Sequence, residues 1–202
     1  GKLIPISIKD SQFIVNGDYT ICAPLINAEA SKINAANFKI VTANGADYQA
    51  LSADVPVNNK GVTFLKAMEI NGDVYITNEE GAMSIADGGT INGNLNVETK
   101  GNTFLNYYND NSEKLTVNGD TNITSHGQWA LLRNTDVNGN LNMSNDGGFV
   151  DIGDANITGN ANLTTTGVVP LSSTDYNHYV HVVGDTNVGG DLTVEASQNI
   201  HI

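Results

Sequence analysis

The stretch VNGDTNIT at 117–124 decides the fold, because it returns as VNGNLNMS at 137–144 and as ITGNANLT at 157–164. A short degenerate repeat of this kind is the signature of a solenoid, in which each copy builds one coil and buries its apolar side only against the next. Counted from its glycine, the register is met at Gly72, Gly93, Gly119, Gly139, Gly159 and Gly184, at intervals of 21, 26, 20, 20 and 25 residues, the long intervals reading as insertions. Upstream the signal fades to VNGDYTI around Gly17, INAANFKI around Ala35 and LSADVPV around Ala53. About nine rungs therefore fill one domain, degenerate over 1–64 and clear over 65–202.

Within the copy at 117–124, Val117, Gly119, Thr121 and Ile123 fall on one side and Asn118, Asp120, Asn122 and Thr124 on the other. That period of two is a half-buried strand, and helical spacing fits nowhere as well. Stacking the copies places Val15, Ile33, Leu51, Ile70, Ile91, Val117, Val137, Ile157 and Val182 in one apolar column. A second holds Ile21, Val57, Ile76, Val97, Ile123, Met143, Leu163 and Val188. Three short strands per rung are expected, as in VNGDTNIT, then QWALLRN, then the strand leading into the next VNGN, with Gly, Asn and Asp at the corners because they tolerate positive φ. The expected fold is an all-β, right-handed parallel β-helix of roughly 20 residues per rung. The hand follows from the bias of parallel crossovers, and a left-handed coil would want strict hexapeptides.

Composition narrows the function. About thirty Asn and 21 Gly with only 15% charged residues do not describe a disordered chain. A net charge of −13 with Arg133 as the single arginine excludes a phosphate-binding surface, so no nucleic acid is expected as partner. No apolar run reaches membrane-spanning length, and GKLIPISIKD does not read as a signal peptide, so the expectation is a removed signal or an internal piece of a longer protein. The lone Cys22, in YTICAPL, reads as a small buried hydrophobe. No P-loop, dinucleotide or metalloprotease signature occurs, and no cofactor is expected.

VGGDLTVEASQNIHI at 188–202, INGNLNVETKGNT at 91–103 and the VNGDTNIT series resemble the repeats of filamentous-haemagglutinin-like exoproteins, the large adhesins of bacterial two-partner secretion. The resemblance covers most of the chain from about residue 65 and is to the repetitive shaft. It implies an extracellular, cell-surface rod used for adhesion, aggregation or presentation of a distal domain. It also implies partners among glycans or proteins of host or neighbouring cells.

The outward positions suggest two further features. Asn96, Asn122, Asn142, Asn162 and Asn187 are expected to form an amide ladder, with Asp73, Asn94, Asp120, Asn140, Asn160 and Asp185 beside it. Calcium on the acidic column is the rival reading, but the GGxGxD repeat is absent, and no metal site is assigned. The same repeat produces sequons at Asn122, Asn142, Asn156 and Asn162, which are candidate glycosylation sites or accidents of a Thr-rich strand.

Other β-helices degrade polysaccharides, so an enzyme is the serious alternative. NTD at 134–136 and SHG at 125–127 are thin candidates; Asp136 reads as a corner residue and His126 as a turn histidine, and no acid and base pair can be assigned. A bactofilin-like filament is the third class, since LTVEASQNIHI ends on a strand-like segment that calls for further rungs or end-to-end stacking with identical subunits. Recognition is expected on two insertions read as occupying the same corner, NDNSEK at 109–114 and SSTDYNH at 172–178, which bring Tyr107, Tyr108, Asp110, Tyr176, Asn177 and His178 to one face. The sequence thus points to a non-catalytic adhesin shaft or filament subunit.

Overall fold

The computed structural model describes residues 6–42, 62–79, 83–107, 113–166 and 179–202, and every regular element among them is a strand. Each strand pairs in parallel with its equivalent one rung away, which is a parallel β-helix with three faces. Face A contains Ile6–Lys9, Leu25–Glu29, the first parts of Val62–Asn78 and Met83–Ile91, then Asn102–Leu105, Trp129–Arg133, Phe149–Gly153, Tyr179–Val183 and Asn199–His201. Face B contains Gln12–Ile14, the segments 32–34, 69–71 and 89–91, then Leu115–Val117, Thr135–Val137, Asn156–Ile157 and Asn187–Val188. Face C contains Asp18–Ala23, the segments 37–42 and 73–78, then Leu95–Thr99, Thr121–Ser125, Leu141–Asn145, Ala161–Thr165 and Leu192–Ala196. Eight rungs carry all three strands, and Asn199–His201 opens a ninth.

Apolar side chains at alternate positions stack into continuous inner columns. On face C the column is Ile21, Ile40, Ile76, Val97, Ile123, Met143, Leu163 and Val194. On face B it is Phe13, Ile33, Ile70, Ile91, Val117, Val137, Ile157 and Val188. Ile33, Val117, Val137 and Ile157 are wholly buried. One residue in each rung contributes to a core that no single rung could form, so stability comes from stacking.

Several expected column members move. Phe13, not Val15, lies in register with Ile33. The segment 32–42 pairs directly with 69–78, so no rung intervenes between them; Ile40 fills the place expected of Val57, and Leu51 and Val57 lie outside the described residues. The last copy is VGGDLTVE at 188–195, not the VVGDTNVG around Gly184. Val188 is in register with Ile157, Gly190 N–H donates to Gly159 O at 3.0 Å, and Val194 follows Leu163. Val182 belongs to face A, above Ile152. The exposed Cys22 is corrected as well: it points outward between Ile21 and Ala23, both of which point in.

Each corner has its own chemistry. Between faces A and B one residue per rung is left-handed: Asp10, Ala30, Ala67, Gly88, Asn106, Asn134, Asp154 and Gly184, with φ between 41° and 63°. Asn, Asp and Gly tolerate this conformation; alanine does not. Ala67→Gly is therefore expected to raise stability by about 1 kcal/mol, read as a higher midpoint in urea unfolding. Between faces B and C the glycines allow the rungs to close: a Cβ on Gly139 would lie 2.6 Å from Gly119 O and 2.6 Å from Asp120 Oδ1. Between faces C and A, inward polar residues serve the turning backbone. Thr99 Oγ1 accepts from Gly101 N–H at 3.1 Å, and Asn145 Nδ2 donates to Phe149 O at 2.9 Å.

Candidate functional site

Faces B and C satisfy their own outward polar groups along the axis. On face B, Asn71, Asn92, Asn118 and Asn138 each donate a side-chain amide to the asparagine one rung before, beginning at Asn34, at 2.5 to 2.7 Å. On face C the ladder runs through Asn96, Asn122, Asn142 and Asn162 at 2.8 to 3.0 Å. Thr193 continues that position, and Asn187 instead donates to Asn156 on face B at 3.0 Å. The expected Asp/Asn column is present in another form: the side chains of Asp73, Asn94, Asp120, Asn140 and Asn160 accept the backbone N–H of Asn94, Asp120, Asn140, Asn160 and Asp191. Asp191 takes the place expected of Asp185, whose N–H donates to Asp154 at the other corner.

This bonding bears on the sequons and on metal. The amides of Asn122, Asn142 and Asn162 are donated within the ladder, while Asn156 accepts from Asn187. Among the described residues no group of three or more His, Cys, Asp or Glu side chains could hold a metal ion. Nor does any helix there have the length and apolarity to cross a membrane. His126 faces Asp146 at 2.8 Å at an exposed turn. Asp136 lies within the strand Thr135–Val137 rather than at a corner, paired with Lys114 at 2.9 Å. Such exposed pairs contribute little.

The two insertions do not share a corner. The segment 106–114 links face A to face B in the fifth rung, whereas 166–178 links face C to face A between the seventh and eighth. They leave from opposite edges of face A, three strands apart. Tyr107 is 42% exposed and its ring lies 5.7 Å from that of Phe104. Tyr108, Asp110, Tyr176, Asn177 and His178 lie outside the described residues.

Face A differs from the other two in what it turns outward. Trp129, Phe149 and Tyr179 occupy one outward column, with ring centroids 4.7 and 4.8 Å apart, the second pair parallel to within 4°. Phe104, Leu131 and Phe149 form a second apolar cluster outside the main core, each at most 4% exposed. In the neighbouring column Leu131 is followed by Asp151, His181 and His201. Arg133 Nη2 lies 2.6 Å from Asp151 Oδ1 and 2.7 Å from Oδ2, and His181 Nδ1 lies 3.3 Å from Oδ2. The rings of Tyr179, His181 and His201 stand edge to face, with centroids 6.0 to 6.1 Å apart.

Burial pushes the Asp151 carboxyl above its ordinary value, against the opposing pull of Arg133 and His181. The native state then holds the proton more tightly than the unfolded chain, so this group's stabilising contribution is complete below the ordinary carboxylate pKa of 3.8 and is lost as pH rises through the raised value. Arg133→Gln removes the charge that limits this loss. It should cost about 3 kcal/mol at pH 7 and much less at pH 4, measured by urea unfolding at both values.

Sequence reading passed over this cluster because WALLR, FVDIG and YVHVV lie outside the octapeptide and are apolar on both sides. The available signal was that double-sided hydrophobicity, which marks a strand covered on both faces, interrupted by Asp151. No family model, curated protein or solved structure matches the chain.

Proposed function

We propose that this chain is a non-catalytic adhesive segment of an exported bacterial surface protein, a stiff shaft with recognition on face A. The observation that carries the reading is the contrast between faces. Faces B and C bond their outward amides to one another along the axis, as suits a wall, whereas face A turns aromatic rings, an arginine and two histidines outward between two insertions. Groups placed beside insertions on a rigid scaffold are suited to binding. The partner is a glycan or protein of another cell surface, and the protein resides outside the cell. Fractionation of the producing cells tests this: the reading expects the protein in the surface and medium fractions, and confinement to the cytoplasm would favour an internal filament instead.

One observation favours a second reading, a polysaccharide-degrading enzyme: the Asp151–His181 contact, in which a carboxylate orients an imidazole that could take a proton. Release of products from a polysaccharide panel, abolished by His181→Ala, would establish it. The adhesive reading expects no release.

A further inference from the structure

We infer that the Tyr179–His181–His201 corner of face A is a binding site for a carboxylate-bearing saccharide, a proposal that rests on the reading of face A as the recognition surface. The protein carries a net charge of −13, and Lys9, Lys32, Lys39 and Lys114 each lie singly against a carboxylate. The eighth and ninth rungs of face A differ: two imidazoles stand one above the other, and Arg133 lies against the one nearby carboxylate, Asp151.

The roles follow from the contacts. Arg133 balances the charge of Asp151 and holds it in place, leaving the carboxylate oxygen Oδ2 to orient His181 through Nδ1 at 3.3 Å. The opposite nitrogen, Nε2, is then the one available to a ligand, and the neighbouring Asp151 favours the protonated ring, in which Nε2 donates. His201 is exposed and next to it, with ring centroids 6.1 Å apart. The charged groups that face His181 are Asp151 from the strand below and His201 from the strand above, with Arg133 acting through Asp151. As pH falls through the histidine range this corner gains positive charge with nothing added to cancel it.

Two adjacent imidazolium donors suit a carboxylate, whose two oxygens can accept both. The half-buried Tyr179 ring, 6.0 Å from His181 and 6.1 Å from His201, offers apolar surface to the carbon side of a sugar. A sugar acid presents both features together; a neutral sugar lacks the first.

Titration calorimetry of the whole chain at pH 6 would use oligogalacturonate, hyaluronate oligomers and oligosialate, each beside its carboxyl-reduced form. At least one acidic saccharide should bind saturably, its reduced form at least about tenfold more weakly, and binding should weaken by a similar factor at pH 8. The double variant His181→Gln/His201→Gln should abolish it with the melting temperature unchanged, since the side-chain amide introduced beside Asp151 can still donate to that carboxylate. If that variant melts early, the wild-type pH and carboxyl dependences decide. Absence of binding to all three acids, or equal binding of reduced forms, or undiminished binding by a folded double variant, would overturn the proposal. Adhesion that depends on face A but on no carboxylate would overturn this ligand class alone and leave the adhesive reading standing.

Discussion

Ile123→Asp is expected to abolish cooperative folding near room temperature or to lower stability by several kcal/mol. Ile123 is 2% exposed, in register between Val97 and Met143, and a carboxylate there would meet apolar side chains from the rungs on either side with no partner to balance it. Because rungs are stable only through their neighbours, the damage should spread along the coil rather than stay local. The adjacent outward change, Asn122→Asp, is the control. It removes the amide donated to Asn96 at 3.0 Å and sets two oxygens against each other, but both are half-exposed, and the cost should be about 1 kcal/mol. Equal thermal melts for the two variants would reverse the assignment of inside and outside.

Gly72→Ala is expected to be nearly as damaging, at about 3 kcal/mol or more. Gly72 has φ of 133°, a conformation that L side chains rarely adopt, and an added Cβ would lie 1.8 Å from the backbone oxygen of Ala35. The rung before has two residues, Ala35 and Ala36, opposite this single glycine, and the ladder shifts register there. Neither carbonyl can retreat without breaking the pairing of 32–34 with 69–71. Denaturant unfolding with an unchanged slope and a lower midpoint is the anticipated result.

Most of the coil was legible from residue 65 onward because the octapeptide spans the end of face B, a tight glycine corner and all of face C. Alternation there is strict: Asn122 and Thr124 face out while Thr121 and Ile123 face in, and the asparagine ladder follows from that period. Two kinds of error came from the same physics. Gly184 and Gly190 are both followed by Asp, and two different corners of the coil accept Gly-Asp: one needs a left-handed residue above Asp154, the other a residue without a side chain above Gly159. Upstream, Leu51 and Val57 carry the right alternation but fall between strands that pair directly with each other.

The candidate site was less legible. Period two separates inside from outside only when one side is polar, and Trp129, Leu131, Phe149 and Tyr179 remove that contrast on face A. Nothing in the order of residues 133, 151, 181 and 201 announces that they meet, since they come from four rungs of unequal length. The insertions were found, but their placement at one corner required knowing which strand precedes each.

The most direct test of the adhesive reading compares two faces at the same height. In a Cys22→Ser background, His181→Cys places a thiol on face A and Thr193→Cys places one on face C of the same rung, each then coupled to a bulky polyethylene glycol. Beads coated with the protein should lose attachment to cells when the label is on face A and keep it when the label is on face C. Attachment that survives labelling at both positions, or fails only with the face C label, would contradict the assignment of recognition to face A.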